Sequence, residues 1–87
     1  MPVLVTTTVP LDIEVYDQIA VDLLPGLRAA PGFRTHTAHA TQPGTFVVNE
    51  VWETQSQHQA FFAAHVAPNL PPGVITTSVE LRQAITA

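Results

Sequence analysis

The chain has 87 residues, no cysteine, seven acidic residues against three arginines, no lysine and a net charge of −4. A chain of this length is expected to form one domain spanning 1–87, and the missing cysteines exclude disulfides and thiolate metal sites. So few cations argue against nucleic acid and anionic membrane surfaces as partners, because both are bound through clustered Lys and Arg. Charged residues make up only 11% of the chain, against about 25% in an average protein. A short chain with so little charge is expected to hide part of its surface in a partner, and a copy of itself is the simplest one. The start, Met1-Pro2-Val3-Leu4, has no basic segment and no long apolar run. No signal peptide or membrane span is expected, and a cytoplasmic location is.

Val3–Val9 is β-branched except for Leu4, which suits a strand, and Pro10 ends it. Asp12 is placed to cap a helix on which Ile13, Tyr16, Ala20, Leu23, Leu24 and Leu27 recur at helical spacing. Pro25-Gly26 predicts that this helix runs to about Leu24 and then kinks or restarts as a short turn to Ala29. Pro31-Gly32 is a turn signal. Residues 33–41 read as a strand with Arg34, His36, Ala38 and Ala40 on one face and Phe33, Thr35, Thr37 and His39 on the other. Gln42-Pro43-Gly44 predicts a hairpin turn into Thr45–Trp52, the strongest strand, with Phe46, Val48, Glu50 and Trp52 on one face and Val47, Asn49 and Val51 on the other. Thr54-x-x-Gln57 is a capping-box pattern opening a second helix to about Ala67, with His58, Phe61, Phe62 and His65 on one stripe. Pro68 stops it, and residues 74–81 form the last strand.

The order strand, helix, strand, strand, helix, strand predicts an α+β, ferredoxin-like β-α-β-β-α-β fold: an antiparallel four-stranded sheet with both helices on one face. Its other face would then be bare, and a second copy should cover it, making a dimeric α+β barrel. On that reasoning the covered face is also where a ligand is expected.

Pro31-Gly32-Phe33, Asn49-Glu50-Val51-Trp52-Glu53, the run from His58 to His65 and Pro68-Asn69-Leu70 together resemble the antibiotic biosynthesis monooxygenase-like family of the dimeric α+β barrel superfamily. The resemblance covers nearly the whole chain. It implies a homodimer or higher oligomer with a buried apolar pocket in each subunit, a Trp beside the substrate and a small aromatic ligand. It also implies a cofactor-free oxygenase acting in secondary metabolism on a polyketide-type substrate. The superfamily's range leaves room for a polyketide cyclase or isomerase in the same pocket, or for a non-catalytic binding module. Trp52 matches the family's strand-three Trp. Asn49 lies close to where the quinone-forming members carry an Asn. The haem-degrading branch has an Asn in its first strand, and Val3–Val9 has none.

Each candidate side chain has a functional and a structural reading. Trp52 would stack on a flat substrate and offer its N–H, or pack the sheet against the second helix. Glu50, on the same face, would be a desolvated carboxylate able to act as a general base, or an interface acid paired with Arg34 or Arg82. His36 is of the residue type most used for proton transfer and shares its predicted face with Arg34, so either could reach a pocket, or sit at a half-exposed edge. His65 would line a pocket mouth, or serve the helix C-terminus. His58 and His65 lie two turns, about 10.5 Å, apart and cannot share a zinc ion. Thus His36, Glu50 and His65 are the candidate catalytic residues, and Arg34, Asn49 and Trp52 the candidate substrate contacts. No metal site is expected. No nucleophile elbow, phosphate loop or dinucleotide fingerprint is present, so no motif-bound cofactor is expected.

Overall fold

The computed structural model describes residues 1–83. Its elements are β1 (Val3–Val9), α1 (Ile13–Ala29), β2 (Phe33–Gln42), β3 (Thr45–Trp52), α2 (Gln55–Phe61) and β4 (Ile75–Glu80). A π turn (Phe62–Val66) and a 3-10 turn (Ala67–Asn69) continue α2. The strands form one antiparallel sheet in the order β2-β3-β1-β4. This is the α+β, ferredoxin-like arrangement the element order predicts.

Strict alternation in β1 buries Val3, Val5, Thr7 and Val9 and leaves Leu4, Thr6 and Thr8 half-exposed. Both core clusters lie on the buried side. Val3, Val5 and Trp52 pack with Leu27 at one end, and Val9 and Phe46 pack with Tyr16 and Ala20 at the other. Because α1 presents Tyr16, Ala20 and Leu27 from one stripe, a single helix reaches both clusters.

Three local expectations are corrected. α1 runs unbroken through Pro25 to Ala29. Proline removes the bond to the carbonyl four residues back, here that of Val21, a residue 72% exposed on the outer face, where a carbonyl without a helical donor is tolerated. Asp12 sits at the N-cap position of α1 but makes no cap bond; its Oδ1 accepts the Gly44 N–H at 2.7 Å, tying the β2–β3 turn to the start of α1. Third, β2 does not keep one face throughout. Register shifts between Ala40 and Gln42 and between Phe33 and Thr35 mark two irregularities of the β-bulge kind. The second brings Phe33 round to the buried side, where its ring meets Trp52 edge-on at 5.6 Å.

At the start of α2 the Thr54 half of the capping box forms, its hydroxyl accepting the Gln57 N–H at 3.2 Å, while Gln57 Oε1 accepts from that same hydroxyl at 3.1 Å. The Pro31-Gly32 turn packs directly against it. Gly32 has φ +84°, and its carbonyl accepts the Glu53 N–H at 2.8 Å. A Cβ there would lie 2.0 Å from Gln57 Oε1.

Candidate functional site

Alternation along β3 puts Phe46, Val48, Glu50 and Trp52 on the helix side. Glu50 lies in the middle of the sheet, opposite Val5 of β1 on one flank and His36 of β2 on the other. Directly opposed residues in an antiparallel pair share a face, so His36 joins Glu50 beneath the helices. Side-chain exposure there is 14% for His36 and 12% for Glu50.

A continuous hydrogen-bonded chain results. Trp52 Nε1–H donates to Glu50 Oε1 at 2.9 Å, and His36 Nδ1 meets Glu50 Oε2 at 2.6 Å. On its far side His36 Nε2 lies 2.8 Å from the Tyr16 hydroxyl of α1. An ionised carboxylate has only lone pairs to offer, so Nδ1 carries a proton and a neutral imidazole keeps its free lone pair on Nε2. The Tyr16 hydroxyl then donates to it. Four residues from three elements thereby satisfy one another. Among the described residues, no buried side-chain nitrogen or oxygen lacks a partner.

Tyr16, His36 and Glu50 also line a cleft between sheet and helices. Thr7, Val9, Phe46 and Val48 form its floor, and Leu23, Phe62, Val66 and Leu70 close it over. The cavity is about 40 Å³ and opens to solvent. The wall is largely apolar, so the polar chain is its one chemically active feature. Burial pushes the Tyr16 phenol up to about 12, with the charges of Glu50 and then Asp17 adding to the effect. Tyr16 therefore stays protonated across the neutral range. His58 packs edge-on to Trp52 at 5.7 Å. Burial holds its imidazole below the ordinary histidine value, against a smaller opposing pull from Glu50. It is thus a neutral core residue at neutral pH.

The six candidate residues part company here. His36, Glu50 and Trp52 come together. Trp52, however, is fully buried among Phe33, His58 and Phe61 and does not border the cleft; only its N–H reaches the site, through Glu50. Arg34 falls at the bulge and does not share the His36 face: its Nε donates to Glu53 Oε1 at 2.8 Å. Glu50 is accordingly paired with His36 rather than Arg34. Asn49 faces the other side of the sheet, where its Oδ1 accepts the Thr6 hydroxyl at 2.8 Å. His65 is exposed, and its ring packs at a tilt against Phe61 with centroids 4.9 Å apart. The π turn lengthens the helical repeat, so Val66 rather than His65 comes round to the cleft. Arg82 is exposed. Tyr16 is the polar cleft residue that the sequence reading leaves out. It passed for one apolar position of the α1 stripe, although a buried Tyr hydroxyl needs a partner.

The face expected to be covered by a second copy is not the one that carries the cleft. The cleft lies on the helix side, within one chain. The opposite face carries Leu4, Thr6 and Thr8 of β1, Val47, Asn49 and Val51 of β3, and Ile75, Thr77 and Val79 of β4. Among the described residues, no group of three or more His, Cys, Asp or Glu comes together to hold a metal, and no helix is long and apolar enough to cross a membrane.

This fold recurs in solved structures. One is a Deinococcus radiodurans protein proposed to be an antibiotic biosynthesis monooxygenase, with a TM-score of 0.71, 19% identity, and 98% of this chain aligned to 97% of that one. The chain has the antibiotic biosynthesis monooxygenase fold. SnoaB of Streptomyces nogalater, a cofactor-independent oxygenase, matches with a TM-score of 0.70 and 14% identity over 99% of this chain and 98% of its own. The monooxygenase from the ActVA-Orf6 gene of Streptomyces coelicolor, solved with nanaomycin D, matches with a TM-score of 0.68 and 24% identity over 98% and 91%. No family model and no curated protein matches the sequence. At these identities the likeness carries the fold alone.

Proposed function

We propose that the protein is a cofactor-independent oxygenase acting on a small aromatic or polyketide-type molecule in secondary metabolism. The observation that carries this reading is the His36–Glu50 pair, bonded at 2.6 Å in the wall of an apolar cleft. Oxygenation without a cofactor needs an activated substrate carbanion, and a carbanion needs a base. His36 is that base, and Glu50 orients it and stabilises the imidazolium it becomes. Trp52 acts through Glu50 as a positioning residue and does not stack on the ring. Arg34, Asn49 and His65 point away from this cleft and have no part in it. On an anthrone-type substrate, one oxygen atom of O2 stays on the ring carbon as a carbonyl and the other leaves as water with the two hydrogens that carbon loses.

The reading is tested with purified protein and a set of anthrones, by oxygen uptake and product mass. Quinone should form, and Glu50→Gln and His36→Phe should each lower kcat by about a hundredfold or more. Turnover without added oxygen would identify a cyclase or isomerase instead. No turnover on any anthrone would remove the oxygenase reading.

A cytoplasmic homodimer is part of this proposal. Leu4, Val47, Val51, Ile75 and Val79 share the sheet face that no helix covers, and Ile75 and Val79 are 63% and 61% exposed. A second copy laid on that face would remove this apolar surface from water and leave the cleft in each subunit intact.

A further inference from the structure

We infer that Tyr16 is a catalytic residue: its hydroxyl takes the proton of a ligand hydroxyl and passes its own to His36, so the cleft selects a neutral, hydroxyl-bearing aromatic ligand. The inference rests on His36–Glu50 as the base and names the group that meets the ligand.

The reason is an occupied lone pair. With Nδ1–H bonded to Glu50, His36 has one acceptor position left, on Nε2, and the Tyr16 hydroxyl fills it at 2.8 Å. A substrate proton cannot reach Nε2 without displacing Tyr16, whose ring is wedged against Phe46 with centroids 4.8 Å apart. It reaches His36 through the phenol instead. The ligand O–H bond breaks as a new Tyr16 O–H bond forms; the old Tyr16 O–H bond breaks as the Nε2–H bond forms. No electrons are exchanged. The ligand becomes an oxyanion, His36 an imidazolium beside the Glu50 carboxylate, and Tyr16 ends neutral as it began. Its raised pKa suits this role, since a phenol that resists ionisation passes a proton on without holding the charge.

The direction of the Tyr16 hydroxyl sets what binds. While the relay is neutral its hydrogen points at His36, so it shows the cleft only a lone pair. A ligand O–H finds an acceptor there. A carboxylate finds lone pairs and the nearby charge of Glu50. After transfer Nε2–H donates to Tyr16, and the Tyr16 hydrogen turns to the ligand oxyanion and holds it. The charged and titratable groups around Tyr16 are Glu50 of β3, His36 of β2 and Asp17 of α1, with His58 of α2 acting on Glu50.

The probes are 2-naphthol and 2-methoxynaphthalene, which share a ring system and differ in the hydroxyl hydrogen. By calorimetry the wild-type protein should bind 2-naphthol about tenfold more tightly, because the ether leaves the Tyr16 lone pair unpaired. Tyr16→Phe keeps the ring and its contact with Phe46, and should erase that preference while leaving 2-methoxynaphthalene affinity unchanged. On an anthrone, whose enol form carries the hydroxyl and on losing its proton gives the same anion as loss of the ring-carbon proton, it should lower kcat by about a hundredfold. Equal affinity of wild type for the two probes, no binding of either, or a preference that survives Tyr16→Phe overturns the inference. If Tyr16→Phe erases the preference but no anthrone is turned over, hydroxyl recognition at Tyr16 stands and the oxygenase reading fails.

Discussion

Glu50 owes its place to two neighbours rather than to its own chemistry. A carboxylate 12% exposed is costly to hold charged, and it is kept there by one donor on each oxygen, from Trp52 and His36. Trp52→Phe keeps most of the packing and removes one donor. It should lower kcat about tenfold with KM nearly unchanged, the mark of a positioning residue, and cost about 1–3 kcal/mol of stability. Truncation to Ala should cost about 3–5 kcal/mol in a urea melt, because it also empties the core where Phe33, His58 and Phe61 meet. His58 and Tyr16 make stability depend on pH in opposite directions. The folded state lowers the His58 pKa below its unfolded value of 6.5, so the unfolded chain takes up that proton first. Stability should fall as pH drops through and below 6.5, and His58→Phe should flatten that slope. For Tyr16 the folded value, about 12, exceeds the unfolded 10.0, so its contribution is complete below pH 10 and is lost between about 10 and 12. Melts of wild type and Tyr16→Phe across that range check the sign.

At the level of elements, short contacts set the geometry that the cleft needs. Thr54 starts α2 and so aims Phe62 and Val66 over the cleft. Thr54→Ala should cost about 1 kcal/mol. Gly32 combines positive φ with close approach to Gln57, and Gly32→Ala should cost about 1–3 kcal/mol in the same melts. The strand ends and the Thr54 cap were legible in the sequence because β-branched runs, turn dipeptides and capping patterns act within a few residues. The continuity of α1 through Pro25 and the π turn after α2 were not. Pro25 reads as a break until the exposure of Val21 is known, and nothing in FAAHV announces a longer helical repeat. The cost was the misplacement of His65.

For the molecule as a whole, the sheet separates two surfaces that sequence reasoning had merged. The cleft is on the helix side and the apolar open face is on the other, so assembly and ligand binding should respond to different substitutions. Val79→Glu, on the open face and 61% exposed, should convert a dimer to a monomer in light scattering while the chain keeps its helical and strand content. Tyr16→Phe should leave assembly unchanged. A wild-type protein that is monomeric at all concentrations would remove the dimer proposal.

By itself the sequence determined the order of strands and helices, that both helices cover one sheet face, and that Glu50 and Trp52 of β3 share a side, because each follows from a period of 2.0 or 3.6. Tertiary structure decided the site. From Gln42↔Thr45, a regular hairpin would set Thr37 opposite Glu50 and turn His36 to the open face. The irregularity between Ala40 and Gln42 adds one residue, puts His36 opposite Glu50, and thereby brings His36 under α1 to meet Tyr16. A one-residue slip exchanges every side chain between the two faces of a strand. Such a slip depends on how β2 packs against β3 and α1, which no residue of β2 encodes alone.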